Sequence, residues 1–227
     1  MHDSKVIIAL DYSHEKDVFQ LCNQLDHSKC KLKIGKQLFT KYGPKLVEQL
    51  QSKGFKIFLD LKFHDIPTTV YKASLEAYKL GIWMLNVHAL GGSEMMSAAL
   101  QAKNEVNKQS KLIGVTVLTS HTDSSFVHFG INRRENLAKI LANNACDIGL
   151  DGIVCSPSDI EGIEITKKSF LYVTPGIRLT SIRDDHNKTF TPKEAYELGA
   201  DYLVIGRPIT ESDKPMNVLD KILDFNH

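Results

Sequence analysis

The stretch KIFLDLKFHDIP, residues 56–67, sets an apolar run against three charges. Ile57, Phe58 and Leu59 read as buried strand, and Leu61 and Phe63 carry the pattern on. Asp60, Lys62 and Asp65 place acid, base and acid into that run and just beyond it. Strand side chains alternate faces with period two, so the spacing predicts Asp60 and Lys62 on one face. A buried ion pair is weak evidence for stability, because desolvation offsets much of its attraction. The pair therefore either plugs a core or serves chemistry, and its surroundings decide which.

Comparable apolar runs recur at 5–10, 31–35, 82–88, 111–118, 151–155, 170–174 and 201–206. Between them lie stretches with apolar residues at helical spacing, among them 36–52, 68–80, 93–107 and 132–149. Pro44 predicts a break inside the first of these, whereas Pro157, Pro192 and Pro208 sit where helices would start. Eight strand–helix units with no linker between them predict one (β/α)8 barrel over residues 1–227. The alternative is an open doubly wound sheet, but no GxGxxG follows the first strand to support its dinucleotide-binding form. The polar segment 176–190, GIRLTSIRDDHNKTF, is long for a connection and reads as a mobile lid.

Composition narrows the function. With 42% hydrophobic and 24% charged residues and a net charge of +1, the chain reads as an ordinary globular protein. Nothing in its charge favours nucleic acid or a membrane surface as partner, so an anionic ligand needs a local site. The four cysteines, Cys22, Cys30, Cys146 and Cys155, lack metal-site spacing and read as free thiols in a reducing compartment. The first apolar run is too short for a signal-peptide core, and no run approaches a membrane span, which predicts a cytoplasmic protein.

Polar residues gather at the ends of the predicted strands. Asp11 ends the first, Lys33 lies near the end of the second, and Asp60 and Lys62 end the third with Asp65 beyond. Asn86 and His88 end the fourth, Thr119 and Ser120 the fifth, and Arg207 follows the eighth. Barrel enzymes build their sites at the C-terminal ends of several strands at once. Lys33, Asp60, Lys62 and Asp65 then form an alternating charged array at one mouth, which points to catalysis. TPGIR (174–178) and LVIGRPIT (203–210) fall in the loops after strands seven and eight, where barrels often bind phosphate. Arg207 can add a charge-assisted grip there. Other residues read as structure: His64 and His88 as hydrogen-bonded histidines, Trp83 as core, and Gly91–Gly92 as a turn. No metal-ligand grouping or nucleophile elbow is visible.

These motifs together, LDLKFHDIP with ALD, KLKIG, VTVLTS, DGIVCS, TPGIR and LVIGRPIT, resemble the orotidine 5′-phosphate decarboxylase family from Ala9 to Thr210. The DxKxxD spacing is shared with keto-gulonate-phosphate decarboxylases and hexulose-phosphate synthases, whereas KFHDIP and PGIR are more specific. The resemblance implies a (β/α)8 barrel that converts orotidine 5′-phosphate (OMP) to UMP and carbon dioxide without a cofactor or metal. It implies that Lys62 protonates the ring carbon and that Asp60 faces the substrate carboxylate. Asp11 and Lys33 match ribose-contacting positions, Thr119 and Ser120 the pyrimidine end, and Arg178, Gly206 and Arg207 the phosphate end. A homodimer is implied, with Asp65 and Thr69 reaching the neighbouring active site. The chain departs from the family's pattern in the lid, where His186 stands in the place of a glutamine that bridges phosphate and base, and Asn187 where an arginine is common. Thr68 replaces a frequent asparagine. The rival readings are a related sugar-phosphate lyase and a non-catalytic phosphate-binding barrel.

Overall fold

The computed structural model describes residues 4–131, 133–180, 183–184 and 187–226. Eight short strands pair in parallel and close on themselves: β1 (Val6–Ala9), β2 (Lys31–Gly35), β3 (Ile57–Phe63), β4 (Met84–His88), β5 (Lys111–Val115), β6 (Gly152–Val154), β7 (Leu171–Thr174) and β10 (Tyr202–Ile205). The ring shuts where Val6 of β1 pairs with Leu203 of β10. The (β/α)8 barrel expected from the sequence is therefore the fold. Two further strands, β8 (Arg183–Asp184) and β9 (Asn187–Lys188), form a small antiparallel hairpin within the segment read as a lid.

Alternation along each strand sorts the core into two compartments. Val6 and Ile8 join the large apolar layer between strands and helices, while Ile7 and Ala9 join the smaller cluster inside the ring. Phe58, Met84, Ile113, Val173, Tyr202 and Val204 complete that interior. Filling a barrel from inside with alternate residues of each strand makes it a packed core rather than a pore. At the N-terminal end of the ring Lys31 is buried, with its ammonium 4.8 Å from the Trp83 ring and 5.1 Å from that of Tyr202.

The principal helices are α1 (Glu15–Cys22), α2 (Lys36–Ser52), α3 (Pro67–Lys79), α4 (Gly92–Val106), α5 (Arg134–Ile148) and α9 (Pro215–Leu223). Helix α2 is broken where expected: Gly43, just before Pro44, has φ +61°, outside helical geometry. Prolines open the short helices α6 (Pro157–Ile160), α7 (Pro192–Glu197) and α8 (Arg207–Thr210). At α7 the Thr191 hydroxyl accepts the Glu194 N–H at 3.2 Å, and the Glu194 carboxylate accepts the Thr191 N–H at 2.8 Å. This reciprocal cap satisfies two N–H groups that a helix start leaves unpaired.

One boundary differs from the sequence reading. β5 stops at Val115 rather than running to 118, so Thr119 and Ser120 lie in the loop after it. The apolar run VTVL continues past the strand because Val117 lies buried against the core without ladder pairing.

Candidate active site

At the C-terminal mouth of the barrel a cavity of about 420 Å3 is lined by residues from nearly every strand end. Its floor is apolar, made by Phe58, Val115, Val154 and Val204 among others. Nine residues singled out from the sequence line it: Asp11, Lys33, Asp60, Lys62, Thr119, Ser120, Arg178, Gly206 and Arg207. Two others do not. Asp65 and Thr69 are exposed on the loop and helix beyond β3, outside the cavity of their own chain. Asp65 instead accepts the N–H of Ile66 at 2.7 Å. His186 lies outside the described residues.

Asp60 is the hub. One carboxylate oxygen accepts from the Lys62 ammonium at 2.5 Å and from the Asn86 amide at 2.6 Å. The other faces the Lys33 ammonium at 3.2 Å, which in turn stands 3.5 Å from Asp11. Asp60 and Lys33 are almost fully buried, whereas Lys62 is partly open to the cavity. Burial pushes the Asp60 carboxyl up, but the charges of Lys33 and Lys62 and the hydrogen bonds from Lys62 and Asn86 outweigh it. The group is held below the usual carboxylate range and is therefore ionised at neutral pH.

Asp60 and Lys62 do meet, but regular alternation is not what brings them together. Between Leu59 and Phe63 the strand advances four residues, while β4 opposite advances two, from Leu85 to Val87. The excess is taken up in a bulge where Lys62 has φ +49°, the left-handed region, the only non-glycine with positive φ among the described residues. Bulges beside active sites re-aim side chains. No strand-period argument predicts this one.

At the opposite rim stand Arg178 and Arg207. Burial and the neighbouring Arg207 charge lower the Arg178 pKa, against the opposing charge of Glu211. Two cations gathered at a cavity rim favour a multiply charged anion between them. Arg178 stands near the start of segment 176–190, where its N–H donates to the Phe190 carbonyl at 2.9 Å. Gly176, at φ +81°, makes the turn that leads there.

Some readings of individual residues change. His88 was expected to be hydrogen-bonded, yet its Nδ1 is buried with no hydrogen-bond partner among the described residues. Burial, with the charges of His64, Lys62, Lys36 and His121, pushes its pKa down to about 4. The His64 ring lies against it at 5.4 Å. Asn86, a strand end in the sequence, is fully buried against Asp60. An asparagine inside an apolar strand, flanked by Leu85 and Val87, was the signal for it. All four cysteines are free. Among the described residues no group of three or more His, Cys, Asp or Glu is arranged to hold a metal ion, and no helix is long and apolar enough to cross a membrane.

Comparison with known proteins agrees with this geometry. The chain is 49% identical over 225 residues to orotidine 5′-phosphate decarboxylase of Nitrosococcus oceani, covering 98% of this chain and 97% of that one. It is 47% identical over 226 residues to the enzyme of the same name from Dichelobacter nodosus, covering 98% and 99%. Among solved structures, orotidine 5′-phosphate decarboxylase from Lactobacillus acidophilus superposes with a TM-score of 0.86 at 36% identity, over 98% of this chain and 99% of that one. The family model described as Orotidine 5′-phosphate decarboxylase / HUMPS family matches residues 4–222, and the chain belongs to that family.

Proposed function

We propose that this chain decarboxylates OMP to UMP and carbon dioxide, with Lys62 as the proton donor and no cofactor. The observation that carries the reading is Asp60 held between the Lys33 and Lys62 ammoniums, at a cavity whose far rim carries Arg178 and Arg207. Losing carbon dioxide from an orotate ring leaves negative charge on a carbon with no adjacent electron sink. An ammonium already aimed at that carbon stabilises the charge as it develops and then delivers a proton. Asp60 has two parts in this. It fixes the Lys62 ammonium before reaction, and its own charge faces the substrate carboxylate, which leaves as a neutral molecule.

Arg178 and Arg207, with the Gly206 backbone, take the phosphate, Asp11 and Lys33 the ribose, and Thr119 and Ser120 the pyrimidine edge. The phosphate grip lies away from the bond that breaks. Binding energy gathered there offsets the cost of placing like charges together at the reacting end. Segment 176–190 closes over the ligand as a lid and excludes water, strengthening each charge interaction inside. Asp65 and Thr69, exposed on their own chain, complete the site of a second copy in a homodimer.

The rival within the same family is a metal-dependent lyase acting on a sugar phosphate. The decisive experiment incubates the purified chain with OMP in the presence of EDTA and follows UMP and carbon dioxide. Equimolar formation of both, undiminished by the chelator, is expected. Folded protein that leaves OMP intact while turning over a sugar phosphate with added magnesium would replace this reading with the rival.

A further inference from the structure

We infer that Asn86, which does not line the cavity, is a positioning residue that locks Lys62 and Asp60 into their reactive arrangement. The inference deepens the decarboxylase reading and rests on it.

A left-handed conformation is uncommon for a side chain such as lysine and persists only where surrounding contacts over-determine it. Asn86 provides one such contact. Its carbonyl oxygen accepts the Lys62 backbone N–H at 2.8 Å, inside the bulge where the β3–β4 register is interrupted. Its amide nitrogen donates at 2.6 Å to Asp60 Oδ1, the same oxygen that accepts the Lys62 ammonium at 2.5 Å. One amide therefore ties the backbone of Lys62 to the carboxylate that holds the tip of its side chain.

The chemistry admits few substitutes. Only one orientation of the amide works, because the reverse would set carbonyl against carboxylate and NH2 against N–H. Asn86 is fully buried on a central strand, paired through its neighbours to both β3 and β5, so the clamp is anchored in the rigid part of the ring. Leucine would leave a buried N–H and a buried carboxylate lone pair unmatched. Glutamine would carry the amide one methylene too far in a close-packed interior. Aspartate keeps the shape and the acceptor but exchanges the donor for a second carboxylate.

That last property supplies the test. In Asn86→Asp at pH 8 the two carboxylates repel, Asp60 turns away, and kcat for OMP falls on the order of 10²-fold, as expected for a mis-aimed reacting group. KM stays within about threefold, since the phosphate grip is untouched. As pH falls toward 5 the new carboxyl takes up a proton, because the two lysines keep the charge on Asp60. It then donates to Asp60 as the amide did, and the variant's kcat relative to wild type climbs by about tenfold or more. Asn86→Ala, which can make neither bond, loses kcat without that recovery and serves if the aspartate variant does not fold.

Folded variants with wild-type kcat, or an Asn86→Asp loss that is the same at every pH, would overturn the positioning role. A wild-type chain that leaves OMP intact would instead overturn the functional reading on which the inference stands.

Discussion

Lys31 and Lys33 leave the same strand on the same face, two residues apart, and both are buried, yet they sit in opposite worlds. Lys31, at the closed end of the barrel, lies near the faces of Trp83 and Tyr202 and donates to the Ser4 carbonyl at 2.5 Å. Aromatic faces and a backbone oxygen are among the groups that meet its charge. Lys33, at the open end, is met by the carboxylates of Asp60 and Asp11 and borders the cavity. A buried charge thus announces nothing by itself. What separates the two ends is that the upper charges border an open cavity.

That contrast is sharpest at Lys62. If the open end is built for proton delivery, Lys62→Ala removes both the donor and the cation at the developing charge. A loss in kcat on the order of 10⁴-fold or more is expected. Circular dichroism and size-exclusion behaviour should match the wild type, because the side chain is partly exposed and contributes little to the core. Folded Lys62→Ala retaining turnover within tenfold of wild type would remove Lys62 as donor and collapse the distinction between the two ends.

Arg207→Ala probes the far rim and should act more weakly. One charge-assisted contact to phosphate is removed while Arg178 remains, so KM for OMP should rise roughly 10- to 100-fold. The rise should vanish for a substrate without its phosphate, which has nothing there to lose. Equal effects on both substrates would place the phosphate elsewhere.

The fold was legible because its signals are local and repeated. Apolar runs at strand length, amphipathic stretches between them and prolines at helix starts each reflect nearest-neighbour physics, and the eight-fold repeat left little choice of architecture. The site was partly legible for the same reason: closure of a parallel barrel brings strand ends together, so Asp11, Lys33, Asp60 and Arg207 converge whatever the loops do. The features that escaped depend on pairing between strands. The Lys62 bulge follows from the register of β3 against β4 and from a long-range hydrogen bond to Asn86. The His88 Nδ1, without a hydrogen-bond partner among the described residues, depends on which neighbours fold around it. No spacing rule encodes such relations.

The smallest effect gives the most discriminating control. Lys31→Met keeps an unbranched stem of similar length and removes only the ammonium. It loses the cation–π attraction, worth about 0.5–2 kcal/mol, and the hydrogen bond to the Ser4 carbonyl, worth about 1.5–3 kcal/mol, partly offset by sulfur–aromatic contact and by relief of desolvation. A Tm shift of only a few degrees is therefore expected for a chain of this size. Turnover is the telling measurement. If Lys31 serves only the closed end, kcat and KM should stay within about twofold of wild type, although it lies two residues from Lys33 on the same face. A tenfold fall in kcat from Lys31→Met, with the fold intact, would mean that the two ends are electrostatically coupled through β2. The division between a structural floor and a reactive mouth would then have to be abandoned.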